Sequence, residues 1–106
     1  MKVPQTLEEC FEFFRKEMPL TDIQALLAIE DQNQLFQFHH GLGQWIRNTW
    51  GLWTDPYEKN PLKASLKHLE HPDEMSMEII KYCWKRFKEE DAKLDKEEVR
   101  ISNKGW

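Results

Sequence analysis

Charge is nearly missing from one stretch of this sequence. Between Asp31 and Asp55 the only charged residue is Arg47, although Asp, Glu, Lys and Arg make up 32% of the chain. So long a neutral segment must be buried, or form a recognition surface, or both. Other scarcities narrow the class. The two cysteines, Cys10 and Cys83, form no CxxC and cannot make a structural zinc site without two matching histidines. Each falls at an apolar helical position, so both read as buried, reduced thiols in a cytoplasmic protein. No apolar run approaches the roughly 18 residues of a membrane span. The opening MKVPQTLEEC lacks the apolar core of a secretory signal. Basic charge is not in excess either: 15 Lys and Arg against 19 Asp and Glu leave a net −4. That balance is a poor match to nucleic acid, where cations must displace counterions. Lys81, Lys85, Arg86 and Lys88 are followed at once by Glu89, Glu90 and Asp91, as on an ordinary solvated face. Alternating strand patterns are nearly absent; only VRIS near the C-terminus qualifies.

What is present points to helices. The 106 residues fit one domain, and five Trp with six Phe supply the apolar area for one core. Thr6 and Glu9 form a capping box ahead of Leu7, Cys10, Phe11, Phe14 and Met18, with Pro19 as the stop. Thr21 with Gln24 offers a second start, and Asp31 with Gln34 a third. The third opens the longest segment, which Gly51 closes as a C-cap. Asn60-Pro61 reads as an N-cap followed by proline at the first helical position. Asp73 or Ser76 caps the last helix, where Met75, Ile79, Cys83 and Phe87 share a face. The expected fold is all-α: a compact bundle of four to five helices over residues 1–90, then a charged, partly loose tail over residues 91–106.

The neutral segment reads FQFHHGLGQWIRNTWGLW over residues 36–53. On a uniform helix, Gly41, Trp45 and Asn48 line one stripe, and His40, Gln44 and Arg47 line the next. His39, Gly43, Ile46 and Trp50 line a third. Two interior glycines cost about 1 kcal/mol each against alanine. Gly41 and Gly43 therefore mark a tight crossing or the floor of a pocket, unless the helix breaks there. Arg47 is either the inner half of an ion pair, with Asp55, Glu70 or Asp73 as acid, or a ligand-facing group. His39 and His40 point about a hundred degrees apart and cannot share one ligand. A metal would need His68 and His71 brought to them, so no metal or other cofactor is expected. No GxSxG and no cysteine in a polar setting suggests a nucleophile, and His39 or His40 as a general base lacks accompanying groups. Trp45 and Trp50 suit a core by their spacing; Trp53, beyond the cap, is expected at the surface.

The string FHHGLGQWIRNTWGLW, with TLEECFEFF before it and LEHPDEMSMEII after it, resembles a family of small, uncharacterised bacterial domains. Their signature is of GLGxWIRNxWGLW type with a downstream HPDxM turn. The resemblance covers residues 4–88 and implies a bacterial or phage origin, but no activity. It also pairs the Trp-Ile-Arg-Asn segment with the His-Pro-Asp-Glu-Met turn, and so implies Asp73, at a helix N-terminus, as acceptor for Arg47.

Two functions compete. The first is a non-enzymatic module that binds another protein, immunity- or counter-defence-like, with recognition centred on residues 39–57. Its candidate residues are His40, Gly41, Gly43, Trp45, Arg47, Asn48, Trp50, Trp53 and Tyr57. The second is a site for a nucleotide or other small anion, held by Arg47 and His40 and read by Asn48. An enzyme fits less well than either, and no membrane association is expected.

Overall fold

The computed structural model describes residues 3–53 and 59–105, with side chains as far as residue 92. Helix α1 (Leu7–Glu17) is followed by α2 (Leu20–Leu27). A 3₁₀ segment (Gln32–Phe38), a π turn (His39–Gly43) and α3 (Gln44–Thr49) run on without interruption. Then come α4 (Pro61–Ser65) and the long α5 (Pro72–Gly105). The fold is all-α, with no strand among the described residues.

Local chemistry sets most boundaries. The Thr6 hydroxyl accepts from the Glu9 amide at 3.1 Å, and the Glu9 carboxylate reaches back to the Gln5 amide at 2.9 Å. Two orphan donors at the α1 start are thereby satisfied. Glu8 and Glu9 in its first turn and Arg15 and Lys16 in its last complement the helix dipole. Helix α2 begins one residue before Thr21, with Pro19 as its cap and no side-chain capping bond. The proline ends α1 and pre-sets the entry to α2, which leaves Thr21 no orphan amide to serve. Gly51 adopts φ 67°, the left-handed geometry that closes α3.

Asn60 does more than cap α4. Its side-chain oxygen accepts from the Lys63 amide at 3.2 Å, while its amide nitrogen donates to the Trp50 and Gly51 carbonyls at 2.9 and 3.0 Å. One buried side chain thus ties the end of α3 to the start of α4. At α5 the cap is neither Asp73 nor Ser76: the His71 ring nitrogen Nδ1 accepts from the Asp73 amide at 3.0 Å. Pro72 at the first helical position places the first free amide at Asp73, within reach of the residue before the proline.

The core lies where α1 crosses α5. Cys10, Phe11 and Phe14 meet Ile79, Ile80, Cys83 and Phe87, all buried, and the Phe11 and Phe87 rings pack edge to face at 4.9 Å. Both thiols are reduced and enclosed; burial pushes Cys10 up to about 12 and raises Cys83 as well. Polar clamps hold α5 to α1 and to the end of α2. Arg86 grips Glu8 through Nε at 3.1 Å and Nη2 at 2.8 Å, Tyr82 donates to the same carboxylate, and the guanidinium lies 4.6 Å over the Phe11 ring. On another side of α5, Trp84 donates to the Ile29 carbonyl at 3.0 Å and Lys88 to the Leu27 carbonyl at 2.8 Å, which ties the end of α2 to α5. Lys88 therefore closes the C-terminus of α2 rather than opening a solvated run.

Candidate functional site

Residues 32–49 wind as one helical path with three pitches, so the uniform stripes of an α-helix do not apply. The glycines do not break the path: Gly43 and Gln44 both keep right-handed helical backbone. A π turn takes more residues per turn than an α turn and rotates everything beyond it. Arg47 is thereby turned relative to His40, which is exposed, while Arg47 itself is 6% exposed; Gln44, in the same α-helix as Arg47, is also exposed.

The Arg47 guanidinium sits between the π turn and the first turn of α5. Nη1 donates to the Ser76 hydroxyl at 2.8 Å, Nη2 to the His39 carbonyl at 3.3 Å, and Nε stands 3.3 Å from Asp73 Oδ1. The Ser76 hydroxyl in turn donates to the Asp73 carbonyl at 2.9 Å. Every nitrogen of the fork thus has a partner, and one carboxylate balances the charge. A buried guanidinium requires both conditions. Gly43 makes the arrangement possible: a Cβ there would lie 3.0 Å from Nη1 and 3.5 Å from Ser76 Oγ. Of the two interior glycines, Gly43 is therefore the close crossing. Gly41 meets nothing within 4 Å of its missing Cβ and borders a cleft.

Asp73 is half-exposed, and two rims meet at its outer oxygen. On one side His39 Nε2 lies 3.9 Å from Oδ2, and the His39 ring stacks on Phe36 at 5.1 Å with planes 7° apart. His40 packs edge-on against His39 at 5.1 Å. On the other side His71 Nδ1 lies 3.6 Å from Oδ2, and Trp53 meets the His71 ring edge-on at 5.8 Å. The same Nδ1 accepts from the Asp73 amide, so it carries no proton towards the carboxylate. Phe36 is 64% exposed and Trp53 54%. The result is a continuous surface running Phe36, His39, Asp73, His71, Trp53, seated on Arg47.

The remaining candidates scatter. Trp50 is wholly enclosed against Phe13 and Phe14, at 5.6 and 5.2 Å, and presents no surface to a partner. The turn after the π segment points its large ring inward, where the core needs volume. Trp45 is partly exposed and belongs to the cleft beside α1. Asn48 is exposed and borders a separate shallow hollow with Lys59 and Asn60. Arg47, His40 and Asn48 thus do not converge on one pocket. Tyr57 and Asp55 lie outside the described residues. Among the described residues no three His, Cys, Asp or Glu side chains gather as they would around a metal ion. Phe36 is not among the sequence candidates, and His39 and His71 figure there as metal donors or, for His39, as a general base, not as binding residues. Phe36 opens the neutral segment, so its exposure had a signal; His71 depends on a contact across the fold.

No described helix is long and apolar enough to cross a membrane. No curated protein and no solved structure matches the chain. A family model described as a domain of unknown function matches residues 3–87, from the segment before α1 to the Phe87 packed on Phe11. The match takes in the Arg47 site whole, and the chain belongs to this family, DUF6794.

Proposed function

We propose that this chain is a non-enzymatic, cytoplasmic module of bacterial or phage origin that binds another protein, in the manner of immunity or counter-defence proteins, through the surface over Arg47. The observation that carries this reading is the pair of exposed rings, Phe36 and Trp53, set on either side of Asp73, one stacked on His39 and the other edge-on to His71. Large rings left in water at fixed positions favour desolvation by a partner, and tryptophan is among the residues most enriched at interface hot spots. Arg47 serves the surface without touching the partner. It grips the His39 carbonyl on one side and Asp73 with Ser76 on the other, so one buried group sets the spacing of both rims. A surface held in place loses little freedom on binding.

The anion-binding alternative draws less support. The Arg47 guanidinium is buried, paired with Asp73 and bonded to Ser76 and the His39 carbonyl, so its charge is already committed within the fold. Affinity purification of the tagged chain from its native cells tests the reading: a partner retained by the wild type is lost with Trp53→Ala while thermal stability is unchanged. Retention of the same partner by Trp53→Ala, or a thermal shift with nucleotides and no retained protein, overturns it.

A further inference from the structure

The π turn faces a second feature that the surface over Arg47 does not use. A cleft of about 450 Å³ lies between the second half of α1, the start of α2 and the π turn. Four rings, Phe13, Phe14, Phe38 and Trp45, line it. Trp45 stacks against Phe13 at 6.0 Å with planes 26° apart and leans on Phe14 at 6.1 Å, so part of the wall is a fixed aromatic block. The charged residues on the lining are Glu17 and Asp22, both exposed and both acidic; no lysine or arginine joins them. Neither carboxylate has a hydrogen bond or ion pair among the described residues.

Gly41 adds an independent observation. Its backbone is right-handed helical, and a side chain there would meet nothing within 4 Å. Neither backbone geometry nor packing calls for glycine, although glycine costs about 1 kcal/mol against alanine inside a helix. Gly41 borders the cleft, and open space lies where its side chain would stand. The turn that carries it is a π turn, a geometry frequent at functional sites.

We propose that this cleft binds a small amphipathic cation: an ammonium group on an aromatic or branched hydrocarbon body. The volume falls within the range of small-molecule sites. Ring faces attract a cation through their quadrupole, and more strongly once water is excluded. Glu17 and Asp22 give the same sign of field at the rim, which draws in a cation and repels an anion. A neutral ligand of the same shape gains the apolar contact but neither electrostatic contribution. The site stands apart from the surface over Arg47 and does not depend on it.

The test uses phenethylamine, 2-phenylethanol and 3-phenylpropionate as cationic, neutral and anionic probes, titrated into the labelled full chain and followed by amide and indole NMR shifts. The amine produces saturable shifts at Trp45 and Gly41, and the alcohol and the acid bind at least about tenfold more weakly. Gly41→Leu fills the cleft and removes amine binding with no fall in melting temperature. Glu17→Gln with Asp22→Asn weakens the amine by about tenfold and leaves the alcohol unchanged. The proposal is overturned if amine and alcohol bind alike, if Gly41→Leu leaves amine binding intact, or if no probe saturates. It is also overturned if a lysine-rich amphipathic peptide occupies the cleft while the amine does not.

Discussion

The Arg47 guanidinium occupies the space that a side chain on Gly43 would need. Only 3.0 Å separates Arg47 Nη1 from the place where a Gly43 Cβ would stand. Two residues further back, Gly41 has open space in the same position. Two glycines of one π turn therefore answer to different constraints, and substitution separates them. Gly41→Ala gains helix propensity at no steric cost and stabilises the chain by about 0.5–1 kcal/mol. Gly43→Ala pushes a guanidinium that three partners hold still, and destabilises it by about 1–3 kcal/mol despite the same propensity gain. Urea denaturation of the two variants checks the opposite signs.

Removing the guanidinium leaves more than a hole. Arg47→Ala strands the Ser76 hydroxyl, the His39 carbonyl and the Asp73 carboxylate, and costs about 3 kcal/mol. Asp73→Asn costs less, about 1 kcal/mol, because Asp73 is half-exposed and water takes up part of the loss. The two changes share partners and are not additive. A double-mutant cycle by denaturation measures the coupling, and additive losses would contradict the pairing.

A second charged cluster governs acid stability. Arg86 and the Tyr82 hydroxyl hold the Glu8 carboxyl down to about 2, from 4.5 when unpaired. The folded form therefore binds this proton less readily than the unfolded one. Its contribution to stability is fully present above pH 4.5 and is lost as pH falls towards 2. Glu8→Gln removes that part of the pH dependence. Melting curves from pH 6 down to 2 show the wild type and the variant converging at the acid end. A constant gap between them would contradict the assignment.

The two cysteines should be silent in the native state. Both side chains are enclosed where α1 crosses α5, and burial raises both thiols away from the reactive thiolate. Ellman's reagent at pH 8 is expected to titrate neither until denaturant is added, after which both react. Fast reaction of either thiol in buffer alone would show that the crossing opens locally.

Much of the fold was legible because its signals are local. Thr6 and Asn60 announce helix starts by side chains that reach their own next turn, and Gly51 announces an end by a backbone geometry that glycine tolerates. The low charge of residues 32–54 pointed to burial, a recognition surface or both: Leu35, Gly43, Ile46, Arg47, Trp50 and Leu52 are buried, while Phe36, Trp45 and Trp53 are exposed. The pitch was not legible. Stripes drawn at 3.6 residues per turn place Arg47 beside His40, whereas the π turn between them changes that angle, and Arg47 is buried while His40 is exposed. The pairing of Arg47 with the His-Pro-Asp-Glu-Met turn came from two motifs shared with a family rather than from spacing. Other contacts between distant residues left no trace: Glu8 meets Arg86 across 78 positions, and the cleft beside Gly41 exists only where three elements cross. Trp50 and Trp53 differ by three residues, yet one is sealed and the other half in water. The left-handed turn at Gly51 separates them, and that much was legible: Trp50 falls at a core spacing and Trp53 follows the cap.

The surface over Arg47 is tested most directly by placing a photoreactive benzophenone side chain at position 36, 53 or 85 and irradiating living cells of the native host. Lys85 is an exposed position twelve residues along α5 from Asp73, about 18 Å away at 1.5 Å per residue. Positions 36 and 53 are predicted to yield adducts with the same discrete protein, and position 85 none. Adducts of equal yield at all three positions, or none at 36 and 53, would contradict a recognition role for this surface.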